Sequence, residues 1–322
     1  MKLEQIGFYT LSDDRAKNAS ATSPMQRCEL IITDACNFKC PYCRPLRDDC
    51  RGVRTLDHCK NVVRLWAKDG LKNIRFSGGE PTVHAGLLDL VKYTKAQGVE
   101  RIAISTNGSA KPELYRELVE AGVNDFSISL DACCASGVEK MARTSGKGAL
   151  VLSNIRLLST LTYVTVGVVI TDENIHELVK IVMFAHNLGV ADIRIISAAQ
   201  ENKLLEEAAN LDKAVLDAHP ILKYRVCNIN NQRHVRGLKS TDCKKCHLIK
   251  DDSMVAGNYH FPCIIYMREG GNPIGVVGEN MRQERIDWLE NTNTHEDPIC
   301  RKNCLDVCVD YNNKAEQYNE DR

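Results

Sequence analysis

"NIRFSGGEPTVHAGLLDLVKYTKAQGVERIAISTNG", residues 73–108, decides the fold class. Its first part, "NIRFSGG" (73–79), is a β-rich run closed by a glycine turn. "LLDLVKYTKAQG" (87–98) then repeats apolar residues at helical spacing and ends on glycine, and "RIAISTNG" (101–108) is a second strand with its own glycine turn. Strand, helix, strand within 36 residues is one βαβ unit, which predicts a parallel pair joined by a right-handed crossover.

The same rhythm extends in both directions. "CELIIT" (28–33) is a strand, and "LDHCKNVVRLWAKDG" (56–70) is a helix leading into the quoted stretch. Downstream come helix 112–122, strand 125–132, helix 149–161, strand 165–171, helix 175–189 and strand 192–200. Six strands alternating with helices predict an α/β fold on a mostly parallel sheet, whose ligand sites lie at the C-terminal strand ends. The residues with chemical character fall there: Cys36, Ser77 to Glu80, Thr106–Asn107 and Ser129–Asp131. Past residue 201 the rhythm stops. Residues 202–218 read as helix, "YRVCNINNQRHV" as a strand and turn, and residues 227–308 as a loop-rich segment holding seven of the 15 cysteines.

Composition narrows the class. Net formal charge is zero, so no overall field draws in nucleic acid or an anionic membrane. The N-terminus has no apolar signal core, and no run approaches a membrane span, so the chain reads as cytoplasmic. An odd count of 15 cysteines argues against a complete disulfide framework, and in that compartment clustered thiols serve metals or catalysis.

"ACNFKCPYCRP" (35–45) sets Cys36, Cys40 and Cys43 on one loop. Three close thiolates suit three corners of a [4Fe–4S] cubane, leaving one iron open for a substrate or cofactor. The alternatives from spacing alone are zinc, with Cys50, Cys59 or a distant fourth ligand, and unligated thiols.

Cys36-x-x-x-Cys40-x-x-Cys43, with Tyr42 before the last cysteine, resembles the signature of radical S-adenosylmethionine (SAM) enzymes. "RFSGGEPTVH", "ISTNG" and "SISLDA" are similar to that family's second, third and fourth strand ends. The resemblance implies a partial (β/α)6 TIM-like barrel over residues 27–200, between a short segment 1–26 and a C-terminal region 201–322. It further implies an enzyme that cleaves SAM at the cluster to a 5′-deoxyadenosyl radical, which takes a hydrogen from the substrate. Cys36, Cys40 and Cys43 would hold the cluster. Tyr42, Ser77, Gly78, Gly79, Glu80, Thr106, Asn107, Ser127, Ser129, Arg143 and Ile170 would hold SAM. An electron donor such as flavodoxin or ferredoxin would be a partner, with neither a membrane nor an evident nucleic acid.

Cys243, Cys246, Cys263, Cys300, Cys304 and Cys308 form a second concentration. "CKKC" through Cys263 resembles the start of SPASM or twitch extensions, which carry one or two auxiliary [4Fe–4S] clusters, although the downstream pattern departs from theirs. A structural zinc on Cys243 and Cys246 is the other reading. Cys227, or Cys133 or Cys134, is a candidate hydrogen donor to a product radical. The expected substrate is a peptide or small metabolite, and whether the reaction is an oxidation, epimerisation or lysis stays open. The N-terminal motifs also resemble GTP 3′,8-cyclases. Against that likeness, "CKKCHLIKDD" lacks their Arg-rich stretch, "CRKNCLDVC" is unexplained, and the final "NEDR" lacks their paired glycines. A non-catalytic iron–sulfur or zinc module is the third reading, disfavoured because it has no use for a SAM cradle.

Overall fold

The computed structural model describes residues 13–199, 201 and 205–320. Its six alternating strands are β1 (Arg27–Thr33), β2 (Asn73–Gly78), β3 (Arg101–Thr106), β4 (Asp125–Ser129), β5 (Tyr163–Ile170) and β6 (Asp192–Ser197). Each pairs in parallel with its sequence neighbour, as the βα rhythm predicts. Apolar residues on the helical sides, among them Trp66, Phe76, Tyr115 and Phe126, are fully buried and bind helices to sheet. Burial of such side chains is worth about 1.5–3 kcal/mol each.

The sheet does not stop at residue 200. β7 (Asp252–Ala256) pairs in parallel with β1, and β8 (Tyr259–Phe261) and β9 (Gly275–Val276) follow antiparallel. The order is β6-β5-β4-β3-β2-β1-β7-β8-β9, with β6 and β9 as edges. The barrel is therefore partial and open. The cysteine-rich C-terminal region joins the same sheet instead of standing apart from it.

Local readings differ in three places. A helix at Ala135–Ala142 has no counterpart in the sequence reading. "YRVCNINNQRHV", read as strand and turn, lies largely in the helix Pro220–Asn230. Pro220 opens that helix, and Ile221, Leu222, Arg225, Val226 and Ile229 bury one face at helical spacing. The helix expected at 202–218 begins outside the described residues. The rest of it is a 3-10 turn, Glu206–Asn210, then a short helix, Lys213–Ala218, capped by Asp212, which accepts from the Ala214 amide at 2.6 Å.

Candidate functional site

The loop after β1 carries the three clustered cysteines and is pinned from three sides. Gly79 donates its amide to the Thr33 carbonyl and Glu80 to the Ala35 carbonyl, both at 2.8 Å. These approaches need glycine: a Cβ on Gly78 would lie 2.0 Å from the Thr33 oxygen, and one on Gly79 2.3 Å from the Ala35 oxygen. Asn37 donates to Ser109 Oγ and accepts from Asn107 Nδ2, each at 2.8 Å. Lys39 donates its amide to the Ala142 carbonyl at 3.0 Å, so the unforeseen helix Ala135–Ala142 braces the loop.

Glu80 stands behind this loop, not in front of it. It is fully buried, accepting from the Thr82 amide and hydroxyl, the Thr106 hydroxyl and the Asn107 amide. Burial raises its pKa, and those hydrogen bonds hold it back. Its carboxylate ties the end of β2 to β3 and is absent from the cavity lining.

The cavity has a volume of about 540 Å³. Cys36, Cys40, Tyr42, Cys43, Ser77, Gly78, Gly79, Thr106, Asn107, Ser127 and Ser129 line it. So do Cys243, Cys246, Cys263, Cys300, Cys304 and Cys308. Two cysteine sets far apart in sequence thus face one space. Cys36 and Cys43 are exposed within it, and Cys40 is half-buried. Burial raises the thiol pKa of Cys36, and that of Cys40 to about 11. The Tyr42 hydroxyl donates to Asp131, whose other oxygen accepts from the Val169 amide at 2.6 Å.

Five further expected residues are also absent from the lining of this cavity. Arg143 is exposed, at the left-handed end of its helix with φ 46°; its neighbours Met141 and Ala142 line the space instead. Ile170 is buried in the core, and Val169 takes the lining position. Cys227 is exposed on the helix Pro220–Asn230, and neither it nor Cys133 or Cys134 is among the lining residues.

Sequence reasoning missed the charged interior. Arg27 and Glu29, Arg75, Arg101, Asp125 and Arg194 lie on β1, β2, β3, β4 and β6 and line the cavity. Arg27 bridges Glu29 and Asp252, each at 2.7 Å. Arg101 and Arg75 share Asp125 at 2.5 and 3.4 Å. Arg194 has no ion pair or hydrogen bond among the described residues. Burial and the neighbouring Arg75 and Arg225 lower its pKa to about 10, which leaves it charged at neutral pH. Period-two alternation was the available signal: Arg75 with Ser77, Asp125 with Ser127 and Ser129, Arg194 with Ile196.

The second thiol set is dense. Burial first, then the charge of neighbouring thiolates, raises Cys246 to about 12 and pushes Cys300, Cys304 and Cys308 up as well. Burial raises Cys263 to about 11. Cys243 is pushed up by burial and Glu316, not by another thiol. Cys304 ends the helix Pro298–Asn303, and Cys308 lies in the next, Asp306–Glu320. The thiols at 300, 304 and 308 therefore do not share one continuous helix face.

Four thiolates on one zinc lie about 3.8 Å apart, from a Zn–S bond of about 2.3 Å. Among the described residues, neither Cys36, Cys40 and Cys43 nor any three of the second set bring their sulfurs within 4.8 Å of one another. A polynuclear cluster, with each thiolate on its own iron, fits such wider spacing.

Residues 30–185 match the family model of the radical SAM superfamily. That stretch of the chain is a radical SAM domain. Radical SAM membership implies a [4Fe–4S] cluster and SAM. Among curated relatives, the GTP 3′,8-cyclase of Alkaliphilus metalliredigens is 25% identical over 300 residues, covering 83% of this chain and 92% of that one. The GTP 3′,8-cyclase of Pelotomaculum thermopropionicum is 39% identical over 123 residues, covering 35% of this chain and only 37% of that one. Among solved structures, Streptococcus suis SuiB matches with a TM-score of 0.58 at 13% identity, over 86% of this chain and 67% of that one. AdoMet-bound anSMEcpe matches at 0.55 and 14% identity, over 92% and 94%. At such identities the structural likeness speaks for the radical SAM fold alone. No described helix is long and apolar enough to cross a membrane.

Proposed function

We propose that this radical SAM enzyme abstracts a hydrogen atom from an anionic small molecule held between its two cysteine sets. The observation that carries this reading is Arg194, a charged guanidinium without a partner in the cavity that both sets line. Arg194 is half-buried at this cavity, with Glu29 the opposite charge acting on it beyond ion-pair reach, and a carboxylate or phosphate offers the bidentate partner that its planar fork matches.

When bound, the cluster on Cys36, Cys40 and Cys43 supplies the electron that splits SAM into methionine and the hydrogen-abstracting 5′-deoxyadenosyl group. The chain's own residues orient and enclose. Gly78 and Gly79 bring backbone against the cysteine loop, and Ser77, Thr106, Asn107, Ser127 and Ser129 offer polar groups along the strand ends. An auxiliary cluster would draw its ligands from Cys246, Cys263, Cys300, Cys304 and Cys308, facing the substrate from the opposite wall. A one-electron donor of the flavodoxin or ferredoxin type would serve as reductant.

GTP cyclisation is a second reading, favoured by the Alkaliphilus relative that this chain matches over 92% of its length. It is one case of an anionic substrate. The test measures 5′-deoxyadenosine from reconstituted enzyme, dithionite and SAM, with GTP, guanosine and a panel of carboxylates and phosphates added singly. Anionic compounds should stimulate release in the wild type and not in Arg194→Gln, whose uncoupled cleavage stays unchanged. Equal stimulation by neutral compounds would overturn the reading. Consumption of GTP itself would select the cyclase.

A further inference from the structure

Cys243 is set apart from the other thiols of its group. Its sulfur, the His247 imidazole and the Glu316 carboxylate lie within 4.8 Å of one another, the one such trio of ligand atoms among the described residues. His247 Nε2 and Glu316 Oε2 are 2.5 Å apart. The three donors come from two elements. Cys243 and His247 flank the start of the 3-10 turn His247–Lys250, and Glu316 is on the helix Asp306–Glu320.

The protein builds this meeting deliberately. Cys243 donates its amide to Asn313 Oδ1 at 2.8 Å, and Leu248 donates its amide to Asn312 Oδ1 at 2.9 Å. Asn312, Asn313 and Glu316 stand at i, i+1 and i+4, so one helix face docks the turn and presents the carboxylate. His247 is buried while Glu316 remains partly open to solvent, which leaves an approach for an ion. Lys245, just before Cys246, spends its ammonium on the carbonyls of Leu289 and Glu290 at 3.1 and 2.7 Å.

We infer that Cys243, His247 and Glu316 form a mononuclear divalent-metal site, suited to zinc, separate from any iron–sulfur cluster. One thiolate, one imidazole and one carboxylate make a borderline donor set typical of zinc, with water as the fourth ligand. The ion would rivet the turn that carries Cys246 to the helix that carries Cys308, fixing two thiols of the cavity wall through their backbones. It also removes Cys243 from the auxiliary cluster ligands, leaving the five other thiols for that role.

Zinc K-edge X-ray absorption on the anaerobically reconstituted holoenzyme, dialysed against one equivalent of zinc, tests this apart from the iron. The expected shell has one sulfur at about 2.3 Å with nitrogen and oxygen at about 2.0–2.2 Å. Glu316→Gln and His247→Ala should each weaken zinc retention at least about tenfold while iron content is unchanged. A zinc shell with four sulfurs or none, no zinc retained, or loss of about four irons per chain in Cys243→Ala would overturn the site. Glu316→Gln preserves shape, so the test does not hang on the folding of the histidine variant.

Discussion

At the scale of single residues, what holds the SAM-cluster loop is backbone proximity. Gly79 has no room for a methyl group against the carbonyls of Asp34 and Ala35, at 2.5 and 2.3 Å from an ideal Cβ. Gly79→Ala should push the loop off its strand at a cost of about 1–3 kcal/mol and cut SAM cleavage more than about tenfold. Gly278→Ala, whose nearest neighbour would be 3.8 Å away, should leave cleavage unaltered. Matched 5′-deoxyadenosine assays check both. The "SGGE" motif was legible in the sequence, but its division of labour was not. Glycine spacing says that backbone comes close without saying to what, and only the fold shows Glu80 turned inward onto Thr106 and Asn107.

Among the elements, Asp192 shows how the last barrel strand is tied to the C-terminal region. One carboxylate oxygen accepts from the Ile221 amide at 3.1 Å, at the start of the helix Pro220–Asn230, and the other from the Ile193 amide at 2.8 Å. Burial nevertheless raises its pKa to about 6. A folded-state pKa above the unfolded value near 3.9 stabilises the fold fully below pH 3.9, and that contribution is lost as pH rises through 6. Urea titrations should show wild type losing up to about 3 kcal/mol relative to Asp192→Asn between pH 4 and pH 7. An unchanged difference across that range would refute the buried-carboxylate reading. The six βα strands and most of their helices were legible because period two and period 3.6 alternate cleanly there. The helix Ala135–Ala142 was hidden by its serine and glycine, and Pro220–Asn230 by the polar tail of its sequence. β7 escaped notice since all five of its residues are buried, which removes the alternation that marks a strand.

Over the whole molecule, β7 beside β1 joins the C-terminal region to the barrel sheet, and its thiols line the same cavity as the loop of Cys36, Cys40 and Cys43. Sequence spacing revealed both sets, but not that they share a cavity, because that depends on a pairing between strands more than 200 residues apart. Two clusters predict about eight irons per reconstituted chain. Replacing Cys300 and Cys304 by alanine should remove about four and spare uncoupled SAM cleavage; a loss of cleavage in proportion to iron would mean that the sets are one unit. The most direct measurement is 5′-deoxyadenosine release from anaerobically reconstituted wild type given dithionite and SAM, beside Cys36→Ala, Cys40→Ala and Cys43→Ala. Release from wild type and its loss in each variant is the predicted result; iron-loaded wild type that leaves SAM intact would contradict it.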